Sequence, residues 1–143
     1  MSDNGISPSE KEKYRQLSPV TLAFLGDAVY ELKAREQLVR QGGRPAGTLH
    51  KMTVALVRAA AQAEAAGHIL PLLTPEEQDI LRRGRNASTS HVPKNASPAS
   101  YRRATGLEAL FGYLFLCGEQ QRIDEIFDVI LGMYDRAESV QQH

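Results

Sequence analysis

At four places in the chain a Ser or Thr stands directly before a proline: Ser7-Pro8, Ser18-Pro19, Thr74-Pro75 and Ser97-Pro98. Proline fits the first turn of a helix, where its missing N–H is not needed, and a Ser or Thr before it can cap the free backbone donors. Ser7-Pro8-Ser9-Glu10 has the full form of a capping box, and Thr74-Pro75-Glu76-Glu77 is an equally strong start. These starts commit most of the chain to helices.

The spacing between the starts fills in the rest. A short polar helix is expected to about Gln16, and a long one from Pro19 to about Gln41, where Gly42-Gly43 stops it. Leu22, Leu25, Val29, Leu32, Leu38 and Val39 recur at helical spacing within it. Thr48 is the expected cap of one alanine-rich helix from Leu49 to about Ala66, with Met52, Leu56 and Ala59/Ala60 on one face and Gly67 as its stop. Further helices are expected from Pro75 to about Gly84, from Pro98 to Leu116, and from about Glu119 to Ala137. The segment Arg85–Ser97 reads as a loop, and no segment has strand alternation. The expectation is an all-α protein of about six to seven helices. Residues 1–17 form a polar segment with a short helix, 18–138 one domain, and 139–143 a frayed tail.

Composition narrows the class. A chain of 143 residues suits one domain with a sizeable core. It has no run of eighteen apolar residues, so no transmembrane helix and no membrane partner is expected. Met1–Lys13 is too polar for a signal peptide, and Cys117 is the only cysteine. A reducing, cytoplasmic setting is expected.

Two helices carry the chemistry. Leu22–Glu31 is apolar except near its end, yet Asp27 stands in it beside Gly26. A mostly apolar helix is normally buried, and a buried carboxylate needs a partner. Glycine inside a helix costs about 1 kcal/mol relative to alanine, so something should approach closely at Gly26. The segment around Glu108 repeats this pattern, with Gly112 one turn later on the same face. The economical account is that the two helices pack together and the acids share a partner. That partner is either an Arg or Lys, or a divalent metal of the hard, oxygen-seeking kind, Mg2+ or Mn2+.

Lys plus Arg equals Asp plus Glu at 17 each, but the layout is polarised. From Arg82 to Arg103 the charged residues are Arg82, Arg83, Arg85, Lys94, Arg102 and Arg103, with no acid among them. Such a loop suits a phosphate backbone, and Asn86 and Asn95 suit sugar hydroxyls. A solvated loop whose arginines cap helix C-termini is the plainer account of the same residues. Other chemistries lack support: the four histidines have no zinc-ligand spacing, and there is no nucleophile elbow.

With both acid-bearing helices in view, the sequence resembles the ribonuclease III family, and within it the short bacterial Mini-ribonuclease III group. Phe24-Leu25-Gly26-Asp27-Ala28 is similar to the family signature, and Glu108-Ala109-Leu110-Phe111-Gly112 to its second acidic motif. Arg83-Gly84-Arg85-Asn86, Pro93-Lys94-Asn95 and Tyr101-Arg102 resemble pieces of the short form. The resemblance implies an all-α endonuclease domain that works as a homodimer on double-stranded RNA. It further implies catalytic and Mg2+-binding roles for Asp27 and Glu108, with Mn2+ as the alternative metal. Arg83, Arg85, Asn86, Lys94 and Asn95 would hold the RNA. The implied substrate is the stem flanking precursor 23S ribosomal RNA, and a ribosomal protein is a candidate helper.

The larger relatives place a Glu four residues before the catalytic Asp, where this chain has Ala23, and an Asp three residues before the Glu, where it has Thr105. The short form shares this thinning. Two matched acids imply a metal shell completed by water and weaker Mg2+ binding. Thr105 is one turn before Glu108 and is a candidate to orient a water there. The rival readings are a non-catalytic RNA-binding or ribosome-associated scaffold of the same fold, and a helical protein-interaction module whose acids form buried ion pairs.

Overall fold

The computed structural model describes residues 5–87, 92, 94 and 96–141. Within them the order is α1 (Pro8–Arg15), α2 (Pro19–Arg40), α3 (Ala46–Val57), α4 (Ala59–Ile69), a 3-10 turn (Leu70–Leu72), α5 (Pro75–Asn86), α6 (Pro98–Leu116) and α7 (Gln120–Gln141). Among the described residues there is no strand, so the all-α expectation holds. Among the described residues no helix is long and apolar enough to cross a membrane.

The capping chemistry is largely as the sequence implies. Ser7 with Glu10 and Thr74 with Glu77 form complete capping boxes, and Ser97 accepts from the Ser100 N–H. Ser18 makes no side-chain cap, so Pro19 alone marks that start. At the end of α6 the Glu119 N–H reaches the Leu114 carbonyl at 2.9 Å and the Gly118 N–H that of Phe115 at 3.0 Å. Gly118 takes the left-handed φ of 73° that this ending requires.

Several boundaries differ from expectation. The alanine-rich segment is two helices, not one, because Arg58 adopts an extended conformation (φ −63°, ψ 154°) between α3 and α4. The first of these begins at Ala46, ahead of Thr48, and the second continues through Gly67 to Ile69. The buried face of α4 is Ala61, Gln62, Ala63, Ala65, Ala66 and Ile69, while of the expected face Leu56 packs half-buried against the core and Ala60 is exposed. Helix α5 passes Gly84 and ends at Asn86, and α7 runs past Ala137.

Helix α6 is the centre of the fold. Leu107, Ala109, Leu110, Phe111, Tyr113 and Leu114 are buried, and α2, α4, α5 and α7 all pack on it. Tyr30 of α2, Phe111 of α6 and Phe127 of α7 meet edge to face, with ring centroids 5.1 to 6.3 Å apart. The close approach expected at Gly26 is present. A Cβ on Gly26 would strike the Glu108 carbonyl, and one on Gly112 would strike the Leu22 carbonyl. A second glycine crossing joins α5 to α6, where a Cβ on Gly84 would lie 2.7 Å from Gly106 Cα. Glycine therefore lets α2 and α5 both reach van der Waals contact with the α6 backbone. Arg122 of α7 binds Glu77 of α5 through two bonds of 2.8 and 2.7 Å, tying the far end of the bundle together.

Candidate active site

The Gly26 crossing decides where the two acids lie. With α2 against the main chain of α6 at Glu108, Asp27, the next residue along α2, is delivered beside the Glu108 side chain. Glu108 is half-buried, but Asp27 is exposed, as are its neighbours Phe24 and Ala28. The expectation that this whole helix is buried is therefore corrected: only the face with Leu22, Ala23, Gly26, Val29 and Tyr30 is.

Burial, and then the nearby Asp27 carboxylate, push the Glu108 carboxyl up to about 8. A hydrogen bond from Gln62 opposes this in part. Among the described residues no Lys, Arg or His forms an ion pair with either acid. Of the two partners left open by the sequence, an Arg or Lys side chain is thus absent from the described residues. Two adjacent carboxylates without a counter-charge form an oxygen donor set suited to a hard divalent cation. No group of three or more His, Cys, Asp or Glu residues suited to a metal occurs among the described residues. The donor set among the described residues is therefore the pair itself.

Gln62 escaped the sequence reading. It lies on the buried face of α4 and its Nε2 donates to Glu108 Oε2 at 3.1 Å. The available signal was one amide inside an alanine run. Tyr30, also beside Glu108, has its hydroxyl held above the ordinary range by burial, then by Tyr134 and Glu108.

The other predicted residues divide. Thr105 is buried one turn before Glu108, and its hydroxyl donates to the Tyr101 carbonyl at 3.0 Å, which leaves its oxygen only as an acceptor. Arg85 and Asn86 are exposed at the end of α5, and Lys94 is exposed in the loop beyond. Asn95 lies outside the described residues. Arg83 is turned elsewhere: it is half-buried and its Nη1 donates to the Arg15 carbonyl at 2.8 Å, capping the C-terminal end of α1. Arg82 is engaged by Asp79.

Comparison with known proteins agrees with this geometry. Residues 20–119 match the Ribonuclease III domain model. "Mini-ribonuclease 3" of Thermoanaerobacter sp. (strain X514) is 50% identical over 119 residues, covering 83% of this chain and 84% of that one. "Mini-ribonuclease 3" of Symbiobacterium thermophilum is 44% identical over 122 residues, covering 85% and 94% respectively. A crystal structure of a Fusobacterium nucleatum protein superposes with a TM-score of 0.76 at 32% identity, covering 82% of this chain and 96% of that one. The matched span holds both acids and both glycine crossings, and with it the chain belongs to the ribonuclease III family, among relatives named Mini-ribonuclease 3, as an endoribonuclease.

Proposed function

We propose that this endoribonuclease hydrolyses phosphodiester bonds in double-stranded RNA, with Asp27 and Glu108 holding Mg2+, or Mn2+ in its place. The observation that carries the reading is the pairing of two acids at the Gly26 crossing with no cationic side chain between them. When bound, the metal supplies Lewis-acid activation of water and charge neutralisation at the scissile phosphate. The chain's own part is to hold the two carboxylates at a fixed separation and to present the duplex to them. Arg85, Asn86 and Lys94 are exposed for backbone and sugar contacts, and Asn95 is assigned to the same surface by its place in the sequence. Arg83 supports this surface indirectly, by docking α1 under α5. Thr105, one turn before Glu108, is assigned to orienting a water there through its hydroxyl oxygen. The products carry 5′-phosphate ends.

Family membership and the apolar stripe on α2 support a homodimer. Phe24 is 85% exposed, and Val20, Leu32 and Val39 are exposed along the same helix. Exposed apolar surface of this kind marks an interface. Because Asp27 lies between Phe24 and Ala28 on the exposed side, the interface borders each site. The favoured substrate is the precursor 23S ribosomal RNA stem in the cytoplasm, with a ribosomal protein as a candidate helper, as the resemblance of the sequence motifs implies. The test is cleavage of that stem against a duplex of unrelated sequence. Mg2+-dependent cleavage of the stem, lost in EDTA, is expected. Cleavage of the unrelated duplex at equal rate would remove the ribosomal assignment, and no cleavage of either would remove the double-strand reading.

A further inference from the structure

The break between α3 and α4 leaves a main-chain carbonyl without a helical partner. In a continuous helix the Val57 oxygen would accept from the backbone four residues on; the extended Arg58 prevents this. The Gln62 side chain replaces the missing donor, with its Nε2 2.8 Å from the Val57 oxygen. The same nitrogen donates its second hydrogen to Glu108 Oε2 at 3.1 Å. Both neighbours are pure acceptors when Glu108 is ionised, so the NH2 end of the amide must face them and the orientation of the side chain is dictated. Gln62 is 2% exposed, and its Oε1 is buried without a protein partner among the described residues.

We infer that Gln62 is a positioning residue for Glu108, holding the carboxylate in the orientation in which it can share a cation with Asp27. The inference rests on the reading of the acid pair as a metal site. A buried amide with one hydrogen fixed by a main-chain carbonyl cannot rotate without losing two bonds. It therefore transmits the rigidity of the α3–α4 joint to one carboxylate oxygen and leaves the other oxygen for the metal. Groups that orient a metal ligand in this way commonly change metal affinity by about 10- to 100-fold when removed. A glutamine suits the position because it brings no charge of its own to a pair of acids.

The experiment is Mn2+ binding to the metal-free, full-length protein without RNA, measured by calorimetry for wild type, Gln62→Met, Glu108→Gln and the double variant. Met keeps the length and apolar volume of the side chain but donates nothing. The expected result is about tenfold weaker Mn2+ binding in Gln62→Met, with RNA affinity within about twofold of wild type. In the Glu108→Gln background the Met substitution should change Mn2+ binding no further, because its effect passes through Glu108. If Gln62→Met does not melt cooperatively, Gln62→Asn, which keeps an amide but shortens its reach, is judged by the same criteria. Equal Mn2+ affinity in wild type and Gln62→Met overturns the inference while leaving the metal site standing. An equal loss in both backgrounds also overturns it, since that marks a merely structural role. Wild-type protein that takes up no Mn2+ removes the metal reading itself, and this inference with it.

Discussion

Gly26 on α2 faces the main-chain carbonyl of Glu108 on α6 with no room for a side chain between them. One crossing thus packs the core and sets the distance between Asp27 and Glu108. The same contact that holds the bundle together brings the two candidate site acids side by side.

Substitution at this crossing should be far costlier than at a glycine in open space. A Cβ on Gly26 meets backbone atoms, including Gly112 N at 2.8 Å, and backbone cannot rotate away. Gly26→Ala is expected to lose roughly 3 kcal/mol of stability in urea unfolding, the upper end of ordinary overpacking. At Gly67, inside α4, a Cβ would meet nothing within 4 Å. Gly67→Ala should instead gain about 0.5–1 kcal/mol through helix propensity. Equal effects at the two sites would contradict the account of the crossing.

Stability of the metal-free protein should fall as pH rises. Burial and Asp27 hold the Glu108 carboxyl up at about 8 in the folded state, against about 4.3 in an unfolded chain. Between those values the folded protein keeps a proton that the unfolded chain has released. The stabilisation is complete below the unfolded value, declines as pH rises above it, and is fully lost once pH has climbed through about 8. Urea unfolding in EDTA at about pH 5 and about pH 9 measures it. Glu108→Gln should flatten the trend, and adding Mg2+ at the higher pH should restore stability. A wild-type protein that is more stable at the higher pH in EDTA would count against the paired acids.

The arginines at the end of α5 should separate into two kinds. Arg85→Ala and Lys94→Ala are expected to weaken duplex RNA binding and lower the salt slope by about one each. Arg83→Ala should leave the slope nearly unchanged and lower stability by roughly 1–2 kcal/mol, because its bond is to the Arg15 carbonyl. Binding titrations at several salt concentrations, with a melting curve for each variant, distinguish them.

Phe24 gives a direct handle on assembly. Its 85% exposure leaves a large ring in water unless a second copy covers it. Wild type is expected to sediment as a dimer and Phe24→Asp as a monomer. A dimeric Phe24→Asp would move the interface off α2.

The acids and their glycines were legible from sequence because each is out of place in an apolar helix, and the oddity has a physical reason. The helix starts were legible because capping chemistry is local. What was not legible depends on distant contacts. Nothing in the run from Leu49 to Ala66 marks Arg58 as a break, since no Pro or Gly stands there. Gln62 is one amide in an alanine run, and only the packing of α4 shows it under Glu108. Arg83 reads as one more charge on a basic loop until α1 packs beside it, 68 residues away in sequence. The apolar surroundings of Asp27 pointed to burial, and on Phe24, Leu32 and Val39 they point outward instead.

The central claim is that Asp27 and Glu108 together carry out metal-dependent RNA cleavage. The most direct measurement is single-turnover cleavage of a duplex RNA in Mg2+ by wild type, Asp27→Asn and Glu108→Gln, alongside melting and RNA-binding curves. The account predicts that both variants fold and bind RNA about as well as wild type and cleave it at least about a hundredfold more slowly. Cleavage at the wild-type rate by either variant would contradict it.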